Sequence, residues 1–228
     1  MDNRLRAVFA SLRGNAVQDV FNPWYDWHSS VDANRSAPMI RRRHLEQYLG
    51  LRRQAPYLFV GEALGYRGGR FSGIPMTSER ILLDHMADRG IRASDVIGDL
   101  TAQRTSRLEL GADGFTEPTA TIVWTQIIHS GIHPNDIVLW NAFPWHPFEP
   151  GIGLLSNRKP RVAECHEGGG ALLSLLRYLN IKRVVAVGRT AGIALRNAGI
   201  EPLEIRHPAR GGAREFRRQF INEIMRKL

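Results

Sequence analysis

The chain has 228 residues and a mass of 25.7 kDa, and its 31 lysines and arginines outnumber its 22 acidic residues to give a formal charge of +9. A single cysteine excludes an internal disulfide framework, and no stretch approaches the roughly 18 to 20 unbroken apolar residues that span a bilayer. The opening residues lack the apolar centre of a secretory signal, so we expect a cytoplasmic protein. The positive charge favours polyanionic partners such as nucleic acid, because phosphate contacts release counterions.

Apolar segments alternate with amphipathic ones along the chain. Four short segments that are apolar almost throughout predict strands at residues 57–60, 136–140, 183–188 and 203–205. Periodic segments predict helices at residues 37–53, 78–90, 119–131, 190–199 and 212–228, and the polar stretch 91–117 is expected to be irregular. The segment 163–180 is expected to end as a helix that carries Leu172, Leu175, Leu176 and Leu179. Apolar strands separated by helices indicate a parallel sheet that is covered on both faces.

The predicted fold is therefore a single three-layer α/β domain over residues 1–228. Its central parallel sheet has about four strands and is flanked by helices. Residues 1–50 are expected to form a helical and aromatic N-terminal extension that packs on this domain.

Polar side chains follow three of the four predicted strands. Glu62 comes just after the first strand, Asn141 directly after the second and His207 just after the fourth. The carboxyl ends of parallel strands lie at one edge of the sheet, where open α/β sheets bind ligands. We therefore expect these three side chains to share a site.

Each of the three residues also has a purely structural interpretation. Glu62 could pair with Arg67 or Arg70, which are close to it in the sequence. Asn141 could simply turn the chain after a strand, and His207 could be an ordinary structural histidine.

A glycine-rich loop lies between the first strand and the next predicted helix. Its glycines indicate that something approaches the backbone closely. Ile74 and Pro75 stand where a P-loop requires Lys and Ser or Thr, and the G-x-G-x-x-G pattern of dinucleotide sites is absent. Nucleoside triphosphate hydrolysis and dinucleotide chemistry are therefore disfavoured. The glycines of this loop are Gly61, Gly65, Gly68, Gly69 and Gly73.

Three segments resemble motifs of the uracil-DNA glycosylase superfamily and occur in the family's order. Residues 61–78, GEALGYRGGRFSGIPMTS, are similar to its first motif, a glycine-rich stretch that opens with G-x-[acid, Asn or Ala]-P-G and ends in G-x-P-F. The strand and asparagine of VLWNAFPWHP, followed by NRKP, look like its middle segment. RHPARGG, at residues 206–212, resembles its H-P-S-P motif.

The resemblance implies a monofunctional DNA glycosylase that flips uracil out of DNA, hydrolyses its bond to the sugar and leaves an abasic site for base excision repair. Asn141 would read the base, because its amide offers both a donor and an acceptor. His207 would hydrogen-bond the departing base, and Glu62 would orient water and favour the cationic sugar. The resemblance further implies that neither a metal nor an organic cofactor is needed.

Other residues of the motifs are expected to surround the base or to contact DNA. Gly61, Ala63, Phe71 and Met76 are the candidates for the wall around the base. DNA, single- or double-stranded, is the expected partner of a protein that is expected to be monomeric and to have no membrane contact. Arg210, Arg214 and Arg217 fall at i, i+4 and i+7 and are candidate phosphate contacts, as is the backbone at Gly65.

The chain departs from the family's motifs at several positions. Leu64 replaces a proline, and Met76 stands where most members stack a phenylalanine on the base. Ala63 occupies the position of an Asp or Asn, so the sequence looks most like the branch with the motif G-E-A-P-G. That branch carries four cysteines for an iron–sulfur cluster, whereas this chain has only Cys165.

Other functions stay open at this level. A non-catalytic protein of the same fold could bind uracil-containing or damaged DNA. A glycosylase could act on another base, such as hypoxanthine, xanthine or a mismatched pyrimidine. A hydrolase or transferase could act on a free nucleoside or sugar phosphate, with little dependence on salt.

Overall fold

The computed structural model describes residues 2–14 and 17–224, so the end of the predicted last helix, residues 225–228, lies outside the described residues. Four parallel strands form the central sheet, in the order β3-β2-β5-β6. Strands β1 and β4 pair separately as a short antiparallel ribbon. The strands are β1 (Val20–Phe21), β2 (Tyr57–Ala63), β3 (Ile137–Phe143), β4 (His146–Pro147), β5 (Arg183–Val187) and β6 (Leu203–Ile205).

Helices flank the sheet and give the three-layer α/β architecture that the sequence predicts. Helices α7 and α8 pack against the strands, α1 packs on α7, and α9 contacts β6. Within the described ranges, no helix is long and apolar enough to span a membrane. The helices are α1 (Asn3–Ser11), α2 (Ala37–Leu51), α3 (Gly69–Ser72), α4 (Glu79–Leu82), α5 (Ala93–Ile97), α6 (Pro118–Ser130), α7 (Val162–Tyr178), α8 (Arg189–Asn197) and α9 (Ala213–Glu223).

Strands β2 and β3 are longer than their apolar runs predict. Every residue of β3 is buried, as are the first five of β2, because helices cover both faces of a parallel sheet. Both strands continue past the apolar run into polar residues. Asn141 therefore lies within β3, directly opposite Gly61 of β2, and does not follow the strand in a loop.

The predicted helix at residues 78–90 is wrong in length. Only the short α4 and a 3₁₀ turn at Ala87–Arg89 form there, and between them the chain turns at Asp84, which has a φ of +63°. This left-handed conformation ends a helix. The Asp84 carboxylate accepts a hydrogen bond of 2.9 Å from the amide of Ala93 and so fixes the turn to the start of α5.

Helix α7 begins earlier than its leucine pattern indicates, so a run of three glycines lies inside it. A Cβ on Gly168 would stand 2.6 Å from the carbonyl oxygen of Ala142 in β3. The absence of a side chain there allows the helix to pack closely on the strand.

The N-terminal segment contacts the glycine loop and the sheet. Trp24 is fully buried, donates a hydrogen bond of 3.0 Å from Nε1 to the carbonyl of Gly73, and stacks on Trp140 of β3 with ring centroids 6.3 Å apart. Gly73 has a φ of +77°, and a Cβ there would meet the backbone of Arg41 in α2. The extension therefore supports the loop that follows β2.

A buried ion cluster also joins the N-terminal segment to the glycine loop after β2. The Asp32 carboxylate accepts hydrogen bonds from Arg41 of α2 and, at 2.7 Å, from Arg70 of α3. All three side chains are inaccessible to solvent. Burial lowers the pKa of Arg41 to about 10, an effect that the neighbouring charge of Arg70 increases and Asp32 opposes. Asp32 is therefore the counterion that keeps two guanidinium groups charged in the core.

Removal of this counterion should strongly destabilise the protein. We expect Asp32→Asn to lower the free energy of unfolding by about 3–5 kcal/mol, because two buried cations lose their partner. Glu215→Gln is the control, since it breaks only the exposed pair with Arg218, and exposed pairs contribute little to stability. Urea unfolding of both variants measures the difference, and equal losses would contradict a stabilising role for the cluster.

Candidate active site

The carboxyl ends of the four parallel strands surround a cleft of about 490 Å³. Glu62 reaches it from the end of β2, Asn141 from β3 and His207 from the loop after β6. The structure therefore brings together the three polar residues that the sequence places after strands. Eight of the predicted site residues line this cleft: Gly61, Glu62, Ala63, Gly65, Met76, Asn141, His207 and Arg210.

Asn141 presents an unpaired amide in this cleft. The residue is only 1% exposed, yet neither its Oδ1 nor its Nδ2 has a hydrogen-bond partner in the described part of the chain. Gly61 makes the arrangement possible, because a Cβ there would stand 2.7 Å from Oδ1. A buried amide without partners is unfavourable by about 1–3 kcal/mol, so its position indicates that a ligand supplies the missing donor and acceptor.

His207 is a neutral hydrogen-bond donor. Its Nδ1 accepts a bond of 3.0 Å from the amide of Ala209, so in the neutral ring Nε2 carries the hydrogen. Burial lowers the pKa of His207; the charge of Glu62 opposes that shift, and those of Arg206 and Arg210 add to it. The imidazole is therefore uncharged at neutral pH and can donate from Nε2.

Glu62, at the end of β2, interacts electrostatically with two nearby side chains, His207 and Cys165. Burial lowers the pKa of His207 and raises that of the Cys165 thiol; the charge of Glu62 opposes the first shift and adds to the second. The two arginines that were alternative partners bind elsewhere, since Arg67 donates to the Tyr66 hydroxyl and Arg70 to Asp32. The carboxylate of Glu62 thus faces the cleft.

Of the two large side chains that were expected to form the cleft wall beside Asn141, only Met76 does so. Met76 lines the cleft, is 6% exposed, and has its Sδ 3.3 Å from where a Gly61 Cβ would stand. Phe71, which was expected to face the base, is fully buried outside the cleft lining and stacks on Phe115 at 4.6 Å. The prediction for Phe71 is therefore wrong, because α3 directs that ring into the core.

The glycines of the loop make room for side chains of the protein itself. A Cβ on Gly65 or Gly68 would lie 2.6 Å or 2.1 Å from the carboxyl oxygens of Glu117, and one on Gly69 would lie 2.2 Å from Leu64. The loop therefore does admit a close approach to its backbone, but the approaching groups include a carboxyl group that the sequence analysis missed.

Glu117 is this additional cleft residue. Burial raises its pKa to about 7, and its Oε2 lacks a hydrogen-bond partner among residues 2–14 and 17–224. In the sequence, Glu117 is the last residue of the stretch 91–117, which was expected to be irregular. The sequence did contain one signal that Glu117 has a role other than capping. It directly precedes Pro118, the first residue of α6, and Glu is not among the residues that usually cap a helix at that position.

The basic residues separate into two groups. Arg210 lines the cleft in a turn with a φ of +52°, before α9 begins at Ala213. It therefore does not continue the helical row of Arg214 and Arg217, which are exposed on α9 outside the cleft lining. The other cations at the cleft are Arg158, Lys159, Arg189 and Arg206.

A metal centre finds no support in the described residues. Across residues 2–14 and 17–224, no group of three or more His, Cys, Asp or Glu side chains could hold an ion.

Comparison with known proteins agrees with the three motifs. Wild-type SMUG2 of Pedobacter heparinus has a similar solved structure, with a TM-score of 0.54 over 100% of this chain and 92% of its own, at 13% identity. That identity shows a shared fold only. No match was found among curated proteins. A sequence profile described as the Uracil DNA glycosylase superfamily matches residues 50–228. The resemblance is thus confirmed, and the chain belongs to the uracil DNA glycosylase superfamily, a family of DNA glycosylases.

Proposed function

We propose that the protein is a monofunctional DNA glycosylase that removes uracil from DNA and leaves an abasic site. The observation that carries the proposal is the buried, unpaired amide of Asn141 in the same cleft as His207 and Glu62. Uracil offers N3–H as a donor and O4 as an acceptor, which matches the oxygen and nitrogen of the amide. Cytosine would oppose both, because its N3 accepts and its amino group donates.

His207 stabilises the leaving group in this proposal. Cleavage of the N-glycosidic bond leaves negative charge on the base, largely on the oxygen beside the broken bond. The Nε2–H of a neutral imidazole can donate to that oxygen without giving up its proton. A fixed donor aimed at developing charge lowers the activation free energy by about 3–4 kcal/mol. The hydrogen bond from the amide of Ala209 holds the imidazole ring in the required tautomer.

Glu62 stabilises the sugar in this proposal, whereas His207 stabilises the departing base. The sugar becomes cationic as the bond breaks, and a carboxylate at the end of β2 favours that charge. The same carboxylate can accept a proton from the attacking water. Because the base leaves as an anion and the water supplies the hydroxyl group, the reaction needs no further reactant.

Removal of either polar residue should reduce excision with little effect on folding. We expect Glu62→Gln and His207→Ala to lower the rate at least about tenfold. The assay uses a labelled oligonucleotide with one uracil, followed by alkali to break abasic sites, with hypoxanthine and T:G substrates as comparators.

Glu167→Gln and His129→Ala are matched controls, because both residues are exposed outside the cleft lining. Unchanged excision in the controls and reduced excision in the cleft variants support the proposal. No strand breakage by the wild-type protein on any substrate, together with tight binding, would instead indicate a DNA-binding protein without turnover.

Affinity for DNA should fall steeply with salt. We expect Arg210→Ala, Arg214→Ala and Arg217→Ala each to weaken binding similarly for all sequences and to reduce the slope of log affinity against log salt by about one. Arg92→Ala is the control, since Arg92 is paired with Asp84 and lies outside the cleft lining. Activity on free deoxyuridine that does not respond to salt would contradict a DNA substrate.

A further inference from the structure

Glu117 is a second carboxyl group in the cleft, and the proposed reaction does not use it. The residue directly precedes α6 but does not cap that helix with its side chain. The carboxyl group lies against the loop after β2, at the two positions, Gly65 and Gly68, where a Cβ would collide with it. The fold therefore reserves space for this carboxyl group at the wall of the cleft.

Among the residues that the structure describes, no hydrogen bond explains why the Oε2 of this group is enclosed. Its Oε2 is enclosed and has no hydrogen-bond partner in the described ranges, as is also true of the Asn141 amide. Both residues line the same cleft. The amide of Asn141 and the Oε2 of Glu117 are enclosed, lack partners in the described ranges and line one space, which indicates that a single ligand satisfies both.

The surroundings favour the protonated form of the carboxyl group. Burial alone raises the pKa of Glu117 to about 7, and the phosphates of bound DNA would raise that pKa further. A protonated carboxyl group is a hydrogen-bond donor, whereas an ionised one only accepts. Charged or titratable groups on the same cleft or on the adjoining loop are Glu62, Tyr66, Arg67, Arg158, Lys159, Arg189, Arg206, His207 and Arg210.

We propose that Glu117, as a neutral carboxyl group, donates a hydrogen bond to a carbonyl oxygen of the flipped base. Deaminated bases carry a carbonyl group where their parents carry an amino group, so such a donor would add to the selection made by Asn141. This inference rests on the proposed function, because it assumes that a flipped base enters the cleft.

The test measures binding without turnover. In the Glu62→Gln background, the Kd is determined for an oligonucleotide with one uracil and for the same strand with a stable abasic analogue, from about pH 6 to about pH 8.5. Three versions are compared: Glu117, Glu117→Gln and Glu117→Ala. Glutamine is the matched control, because its N–H₂ donates at every pH.

We expect the preference for uracil to weaken as the pH rises above about 7 when Glu117 is present. Glu117→Gln should keep the preference and remove this pH dependence. Glu117→Ala should reduce the preference about tenfold at the acidic end. A preference that Glu117→Ala leaves intact, or that Glu117→Gln reduces as much as alanine does, overturns the inference. No preference for uracil in any version overturns the proposed function as well.

The free protein provides a second readout that needs no DNA. The pKa of Glu117 is about 7 in the folded chain and 4.5 in a free side chain, so the folded state binds more protons between those values. The contribution of Glu117 to the free energy of unfolding therefore falls as the pH rises through that range. Glu117→Gln should remove this fall in urea unfolding, and an unchanged pH dependence would show that the carboxyl group is not enclosed as described.

Discussion

The parallel pairing of β2 with β3 on one side and β5 on the other is the constraint on which the site depends. Helices cover both faces of these strands, so their register is fixed by burial along their length. That register sets Gly61 opposite Asn141. A slip of one residue would turn the asparagine to the other face of the sheet, and the cleft would lose the amide that we assign to base reading.

The cleft combines polar groups that the fold leaves unsatisfied. The amide of Asn141 and the carboxyl group of Glu117 both lack partners in the part of the chain that the structure describes. His207 is kept neutral by burial, although Glu62 favours its charged form. Each of these features is unfavourable to the free protein and useful to a ligand, which is the usual relation between stability and function at a binding site. The buried ion cluster around Asp32, by contrast, lies outside the cleft lining.

Much of this arrangement could be predicted from the sequence, because it depends on local patterns. Apolar runs identified the four strands, and the topology rule for parallel sheets then placed Glu62, Asn141 and His207 at one edge. The helix at residues 78–90 was mistaken because the backbone turn at Asp84 depends on a contact with Ala93, which no local pattern records.

The remaining differences arise from tertiary packing. Phe71 occupies a motif-like position, yet its ring packs on Phe115, which is distant in the sequence. Glu117 lies in a polar stretch whose sequence shows no periodicity, and only the folded chain brings its carboxyl group against Gly65 and Gly68. Glycines indicate a close approach, but they do not indicate whether a ligand or another part of the protein makes it.

The excision rate of Asn141→Ala on a single-uracil oligonucleotide, measured beside the thermal stability of the same variant, tests the central claim most directly. Because the amide has no partner within the described chain, its removal should leave stability unchanged or improved, while uracil excision falls about 10- to 100-fold. A loss of stability with the excision rate intact would contradict the account, because it would show that Asn141 supports the fold and does not read the base.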